Sequence, residues 1–173
     1  MAVHEILSYF GHSDPLRTMS QPVQDFDRKV VALIRDLKDT LKANPDGIGL
    51  SAPQINVHMR VVVVCLEDCE SETYEPGPPI ALVNPKIIAA ANERKDFDGC
   101  LSFPGLYSET VRPHYLRVTG LNEHGEFFEG IFQDFDAVVV HREVDHLDGV
   151  LFIERIRRKE DLYLVQTKRM VNL

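Results

Sequence analysis

The chain has 173 residues, 44% of them hydrophobic and 27% charged, with a formal net charge of −8. This suits one domain over residues 1–173 and excludes a disordered chain, and the three cysteines (Cys65, Cys69, Cys100) are too few and odd in number for a disulfide framework. The acid balance argues against nucleic-acid binding, no apolar run is long enough for a membrane span, and the start lacks a secretory pattern, so a reducing cytosol or organelle matrix is expected.

The first helix is predicted over about Val23–Ala43. Phe26, Val30, Ile34, Leu37 and Leu41 recur at three- and four-residue steps and share one face. Asn44-Pro45-Asp46-Gly47 stops it. Arg60–Leu66 is a β-branched apolar run that reads as a buried strand, and Glu67–Pro79 reads as an acidic surface loop. Ile80–Val83 and Lys86–Ala90 are strand candidates separated by Asn84-Pro85. Tyr115–Leu121 and Glu126–Ile131 flank a hairpin signal at Asn122-Glu123-His124-Gly125. A second helix is predicted over about Gln133–Leu147, with Asp134 and Asp136 in its first turn and Gly149 as its stop. Strands in the middle with one helix before and one after predict an α+β fold with a mostly antiparallel sheet.

From Leu151 onward six basic residues face three acidic ones, giving this tail +3 and residues 1–150 a charge of −11. A solvated helix end and a patch for an anionic partner both fit this pattern.

Three segments carry candidate chemistry. Gly47-Ile48-Gly49-Leu50-Ser51-Ala52-Pro53-Gln54 is a glycine-rich loop where another backbone could approach closely; a plain structural turn fits it too. Asp98-Gly99-Cys100-Leu101-Ser102-Phe103-Pro104-Gly105 sets a cysteine between glycine and a proline turn. It could ligate a metal, act as a nucleophile, or pack as a small apolar residue. His141-Arg142-Glu143-Val144-Asp145-His146 lies on the second helix. Zinc helices read His-Glu-x-x-His, with the histidines four apart on one face. Glu143 and His146 fit that frame, but Arg142 stands where the first histidine belongs. His141 is five residues before His146 and points roughly 140° away on a regular helix.

Together, in this order and spacing, the three segments resemble the signatures of the peptide deformylases. These are Gly-x-Gly-Leu-Ala-Ala-Pro-Gln, Glu-Gly-Cys-Leu-Ser and His-Glu-x-x-Asp-His. Asp14-Pro15-Leu16-Arg17, Leu82-Val83-Asn84-Pro85 and His146-Leu147-Asp148-Gly149 extend the resemblance over nearly the whole chain. It implies antiparallel sheets wrapped around a central metal-motif helix, and removal of the formyl group from N-formylmethionyl peptides of nascent proteins. In that family the cysteine and both histidines hold one metal, commonly Fe2+, with Zn2+ or Ni2+ able to substitute. By resemblance, Cys100 and His146 match metal ligands and Glu143 the general base. Gln54 and the Leu101 N–H match oxyanion donors. Gly49 matches the backbone that pairs with the peptide as an added strand, with Gly47 and Leu50 beside it. Phe135, Val138 and Val139 match the pocket for the first side chain. Asp98 stands where the family has glutamate, opposite an arginine matched by Arg112. Ser51 replaces an alanine, which is expected to be harmless. Arg155, Arg157, Arg158 and Lys159, with the family's link to nascent chains, imply the ribosome as a partner.

Arginine has no lone pair to donate to a metal. Three consequences stay open. The guanidinium replaces the ion, giving a metal-free, non-catalytic homologue that binds peptide N-termini and carries no cofactor. The helix bulges and His141 becomes the third ligand. Or Cys100, His146 and Glu143 bind a metal weakly. A further expectation is that Arg142 lowers the Cys100 thiol pKa and activates it as a nucleophile.

Overall fold

Four consecutive valines, Val61–Val64, form a strand that is completely buried. Side chains alternate across a strand. Val61 and Val63 therefore join one apolar cluster, whereas Val62 and Val64 join another. The first cluster is closed by Val30, Leu33, Ile34, Leu37 and Leu41 of one helix. The second is closed by Ala137, Val139, Val140, Val144 and Leu147 of another. A strand covered by a helix on each face needs no polar side, and this explains the unbroken valine run.

In this computed structural model residues 2–67, 76–166 and 169–172 are described. The helices are α1 (Ser13–Leu16), α2 (Arg28–Lys42) and α3 (Asp134–Leu147). The strands are β1 (Gly49–Ser51), β2 (Val61–Val64), β3 (Ile80–Gly99), β4 (Leu106–Leu121), β5 (Phe127–Gln133), β6 (Leu162–Gln166) and β7 (Arg169–Asn172). The sheet runs β1-β2-β3-β4-β6-β7, and β5 also pairs with β4. Every pairing between these strands is antiparallel. The fold is α+β, as expected, with the sheet curled about α3. Strand β1 lies at an end of the sheet, so among the described residues one of its edges has no strand neighbour.

The first helix begins five residues later than its periodicity predicts. Asp27 caps it: Oδ1 accepts from the N–H groups of Lys29 at 2.8 Å and Val30 at 3.1 Å. Phe26 still packs on the cluster from outside the helix. The two strand candidates around Asn84-Pro85 are one strand, β3, which runs on to Gly99. Its register shifts between Val83 and Lys86. Asn84 sits there at φ 51°, and its side chain bonds both the N–H and the carbonyl of Val23 at 2.8 Å. Asn84-Pro85 is thus a bulge, not a strand end.

Strand β4 begins nine residues before the predicted Tyr115. Its early half turns Ser108, Thr110, Arg112 and His114 inward, reversing the apolar alternation that marks a half-buried strand. The hairpin is present: Asn122 N–H donates to the Glu126 carbonyl at 2.8 Å, and Gly125 takes φ 78°. Helix α3 ends as predicted, with Gly149 at φ 72°. Of the acidic loop, residues 68–75, Cys69 among them, lie outside the described residues, as do the side chains of Lys168 and Arg169 in the basic tail.

Candidate active site

Helix α3 is buried almost all round, and this includes Arg142, Glu143, Asp145 and His146. Buried polar groups are costly unless they are paired. Three other segments supply the partners: the turn after β1, the Cys100 segment after β3, and β4.

Residues Ala52–Ile55 after β1 form a 3-10 turn capped by Ser51. Gln54 Oε1 accepts from the Ser51 N–H and from the Ser51 hydroxyl, both at 2.9 Å. A backbone N–H can only donate, so this bond fixes which way the amide faces. Nε2 is thereby aimed at Ser102 Oγ, at 3.1 Å, and Cys100 Sγ, at 3.5 Å. Ser51, expected to be a neutral replacement, adds a bond that holds Gln54.

Cys100 Sγ lies 3.2 Å from His146 Nε2. These residues are 46 positions apart in sequence and meet as the resemblance implies. His146 Nδ1 is buried with no hydrogen-bond partner among the described residues. Burial, reinforced by Arg142, lowers the imidazole pKa to about 3, so the ring is neutral. Burial also pushes the Cys100 thiol up to about 12, and Glu143 adds to this. Arg142 pulls the other way and loses. The expected activated thiolate is therefore not found, because desolvation outweighs one nearby cation.

Asp98 is the hub of the charged network. Its Oδ1 accepts from Arg142 Nη1 at 2.8 Å and from the Gly99 N–H at 2.9 Å. Its Oδ2 accepts from Arg112 Nε at 2.7 Å and from Thr110 Oγ1 at 3.0 Å. Burial opposes ionisation of Asp98, but Arg142 and Arg112 hold its carboxyl below the usual range. The expected Asp98–Arg112 pair is thus formed despite the shorter side chain. Arg112 Nη1 continues to Asp145 Oδ2 at 2.7 Å, and Arg155 Nη2 reaches Asp145 Oδ1 at 2.7 Å.

His141 faces this outer network. Its Nδ1 accepts from Arg112 Nη1 at 2.8 Å and lies 3.5 Å from Asp145. Helix α3 runs through it without a π-bulge. The bulge that would bring His141 to Cys100 is not formed, because its ring already serves Arg112.

Glu143 sits on the face toward β1. Oε1 accepts from Arg142 Nε at 3.1 Å, whereas Oε2 is buried without a partner among the described residues. Burial raises its carboxyl pKa against the pull of Arg142. A Cβ on Gly49 would come within 2.5 Å of Oε1, so glycine is what lets β1 pass over the carboxyl. Gly47, Gly49, Gln54, Cys100, Leu101 and Glu143 line a cleft of about 370 Å³, together with Phe135 and Arg142. Three expected substrate-binding residues are not in its walls. Leu50 points into the α2 cluster and Val139 into the α3 cluster, both fully buried. Val138 is also fully buried outside the lining. A stretch of strand turns every second side chain away from its edge, and a helix turns some of any run inward. Phe97 and Tyr107, stacked at 5.4 Å between centroids, line the cleft and were missed. Nothing in their spacing marked them, because they meet only when β3 and β4 pair.

The site does not fit the metal that the resemblance implies. Cys100 and His146 are close enough to share an ion, but a protein site of this type takes three ligands and a water. Among the described residues no group of three or more His, Cys, Asp or Glu side chains could hold one. Arg142 fills the third position and is only 6% exposed.

The polypeptide deformylase family model matches residues 3–161. Peptide deformylase 1 of Bacillus cereus is 38% identical over 158 residues, which cover 91% of this chain and 95% of that protein. The Ehrlichia chaffeensis peptide deformylase in complex with actinonin superposes with a TM-score of 0.81 at 32% identity, covering 91% of each chain. The Met-Ala-Ser-bound class I type b peptide deformylase of Acinetobacter baumannii gives 0.80 at 29% identity, covering 90% of this chain and 99% of that one. With fold, cleft and signature segments in agreement, the chain belongs to the peptide deformylase family.

Proposed function

We propose that the protein takes the N-terminal residues of N-formylmethionyl polypeptides into this cleft, the substrate class of its family. The observation that carries the reading is Glu143 Oε2. It is buried and unpartnered among the described residues, on a side chain that lines the cleft and lies against Gly49 of the edge strand β1. A peptide would add to that edge at Gly49 by backbone hydrogen bonds. Its first side chain would lie toward Phe135. The Leu101 N–H and the Gln54 amide would face the carbonyl oxygen of the terminal group. Glu143 Oε2 would take the one hydrogen bond it lacks, from the terminal N–H.

Hydrolytic removal of the formyl group is the reaction of the family. In it a metal such as Fe2+, Zn2+ or Ni2+ supplies hydroxide near neutral pH. This chain keeps the base and the oxyanion donors for that reaction and offers two protein ligands. Arg142 favours a second reading, in which peptide N-termini are held without release of formate.

Calorimetry with formyl-Met-Ala-Ser and a formate-release assay, with and without added Fe2+ or Ni2+, test both readings. Binding with formate release that rises with the ion supports hydrolysis. Binding without formate under every condition supports the second reading. No binding of the formylated or free peptide overturns both.

The ribosome is kept as a proposed partner through Lys159 and its neighbours, although Arg155, Arg157 and Arg158 each meet an acidic group of this chain. Salt-dependent cosedimentation with ribosomes, weakened by truncation after about residue 154, is the check.

A further inference from the structure

We infer that the Arg142 guanidinium is a built-in cation that takes the place of the family's metal, and that this single side chain is what keeps an ion out. The geometry is specific. Arg142 lies one helical turn before His146, on the same face of α3, and lines the same cleft as Cys100. It is not a loose side chain in an emptied site. Nη1 is anchored to Asp98 at 2.8 Å and Nε to Glu143 at 3.1 Å.

The charges close without an ion. Three guanidinium groups (Arg112, Arg142, Arg155) meet three carboxyl groups (Asp98, Glu143, Asp145) in one connected network. A divalent cation placed between Cys100 and His146 would add two positive charges beside a buried guanidinium. Among the described residues no further carboxylate is hydrogen-bonded into this network to balance them.

The rest of the site is kept. Sγ and Nε2 already stand 3.2 Å apart, and α3 is regular through residue 142. A histidine at 142 would stand four residues before His146 on that face, completing a Cys and two His set. The inference rests on the metal-free side of the second reading and not on its peptide binding, and it is tested without peptide. Its failure therefore leaves peptide binding standing, and the failure of peptide binding leaves it standing.

The experiment is metal binding by the full-length protein and by Arg142→His. Both are titrated with zinc against a competing chelator, and with cobalt(II), whose thiolate charge-transfer absorption reports on Cys100. The native chain is expected to purify without stoichiometric metal, with a Tm unmoved by chelator. Arg142→His is expected to take about one ion per chain, at least ~100-fold more tightly, and to gain a chelator-sensitive Tm. Adding Cys100→Ala to that variant should remove the cobalt absorption. About one tightly held ion in the native chain overturns the inference, and that measurement needs no variant to fold. A folded Arg142→His chain that takes no ion overturns it equally.

Discussion

Two helices pack on the two faces of one strand, and they meet opposite problems. Helix α2 lays an apolar stripe on β2 and keeps a wet face, where Val31 is half exposed while Val30 is buried. Helix α3 has almost no wet face beyond its first turn and must bury Arg142, Glu143, Asp145 and His146 beside its valines. The α2 side is held by apolar area removed from water. The α3 side is held by pairing, where removing one member strands another charge. The difference teaches that sensitivity to substitution should follow the number of partners left behind, not the volume removed.

The sharpest test is Arg112→Met. It keeps much of the apolar bulk and takes away the donor shared by Asp98 and Asp145. A loss of ~3–5 kcal/mol in urea unfolding is expected for breaking a buried pair from one side. Leu37→Ala, at the fully buried centre of the α2 stripe, is the control. It should cost ~3 kcal/mol through its cavity and leave peptide binding at the other face unchanged. An Arg112→Met chain more stable than Leu37→Ala would break the comparison.

The two sides were unequally legible in the sequence. The α2 stripe showed in its three- and four-residue steps, because water lies on one side of it. The valine run of β2 showed as a buried strand for the opposite reason. The early half of β4 was hidden, because Ser108, Thr110, Arg112 and His114 point inward and give a polar residue at every second place. Pattern reading takes polar residues as wet. It has no way to see that Ser108, Thr110 and Arg112 serve Asp98 and Asp161, which arrive from distant segments. The site was legible where chemistry repeats a family signature: Gln54, Cys100, Glu143 and His146 do converge. It was not legible at Leu50 and Val139, because a motif gives neighbours in sequence and not the direction of each side chain. Which of its three fates Arg142 takes also lay beyond the sequence, since Asp98 as its partner follows only from how β3 meets α3.

Gly49→Ala carries the comparison to the cleft itself. A methyl group there meets the Glu143 carboxyl at 2.5 Å, and the carboxyl is held by Arg142, so it cannot simply swing away. The cost expected for this overpacking is ~1–3 kcal/mol. Because the displaced groups are the strand edge and Glu143, affinity for formyl-Met-Ala-Ser should fall by ~10-fold or more, an effect of roughly 1.4 kcal/mol. Stability falling with affinity unchanged would separate Gly49 from the peptide site.

The smallest effect belongs to Ser51→Ala. The hydroxyl bond to Gln54 Oε1 is lost, but the Ser51 N–H still donates to the same oxygen. The carboxamide therefore keeps its direction, and Nε2 still faces Cys100 and Ser102. No charge is stranded and no donor is orphaned, so the loss should be that of one neutral hydrogen bond, ~0.5–1.5 kcal/mol by urea unfolding. Peptide affinity should stay within about twofold, since nothing facing the cleft has moved. A larger loss of affinity than of stability would mean that the hydroxyl, and not the backbone, orients Gln54. The turn after β1 would then belong with the paired, partner-dependent side of the molecule.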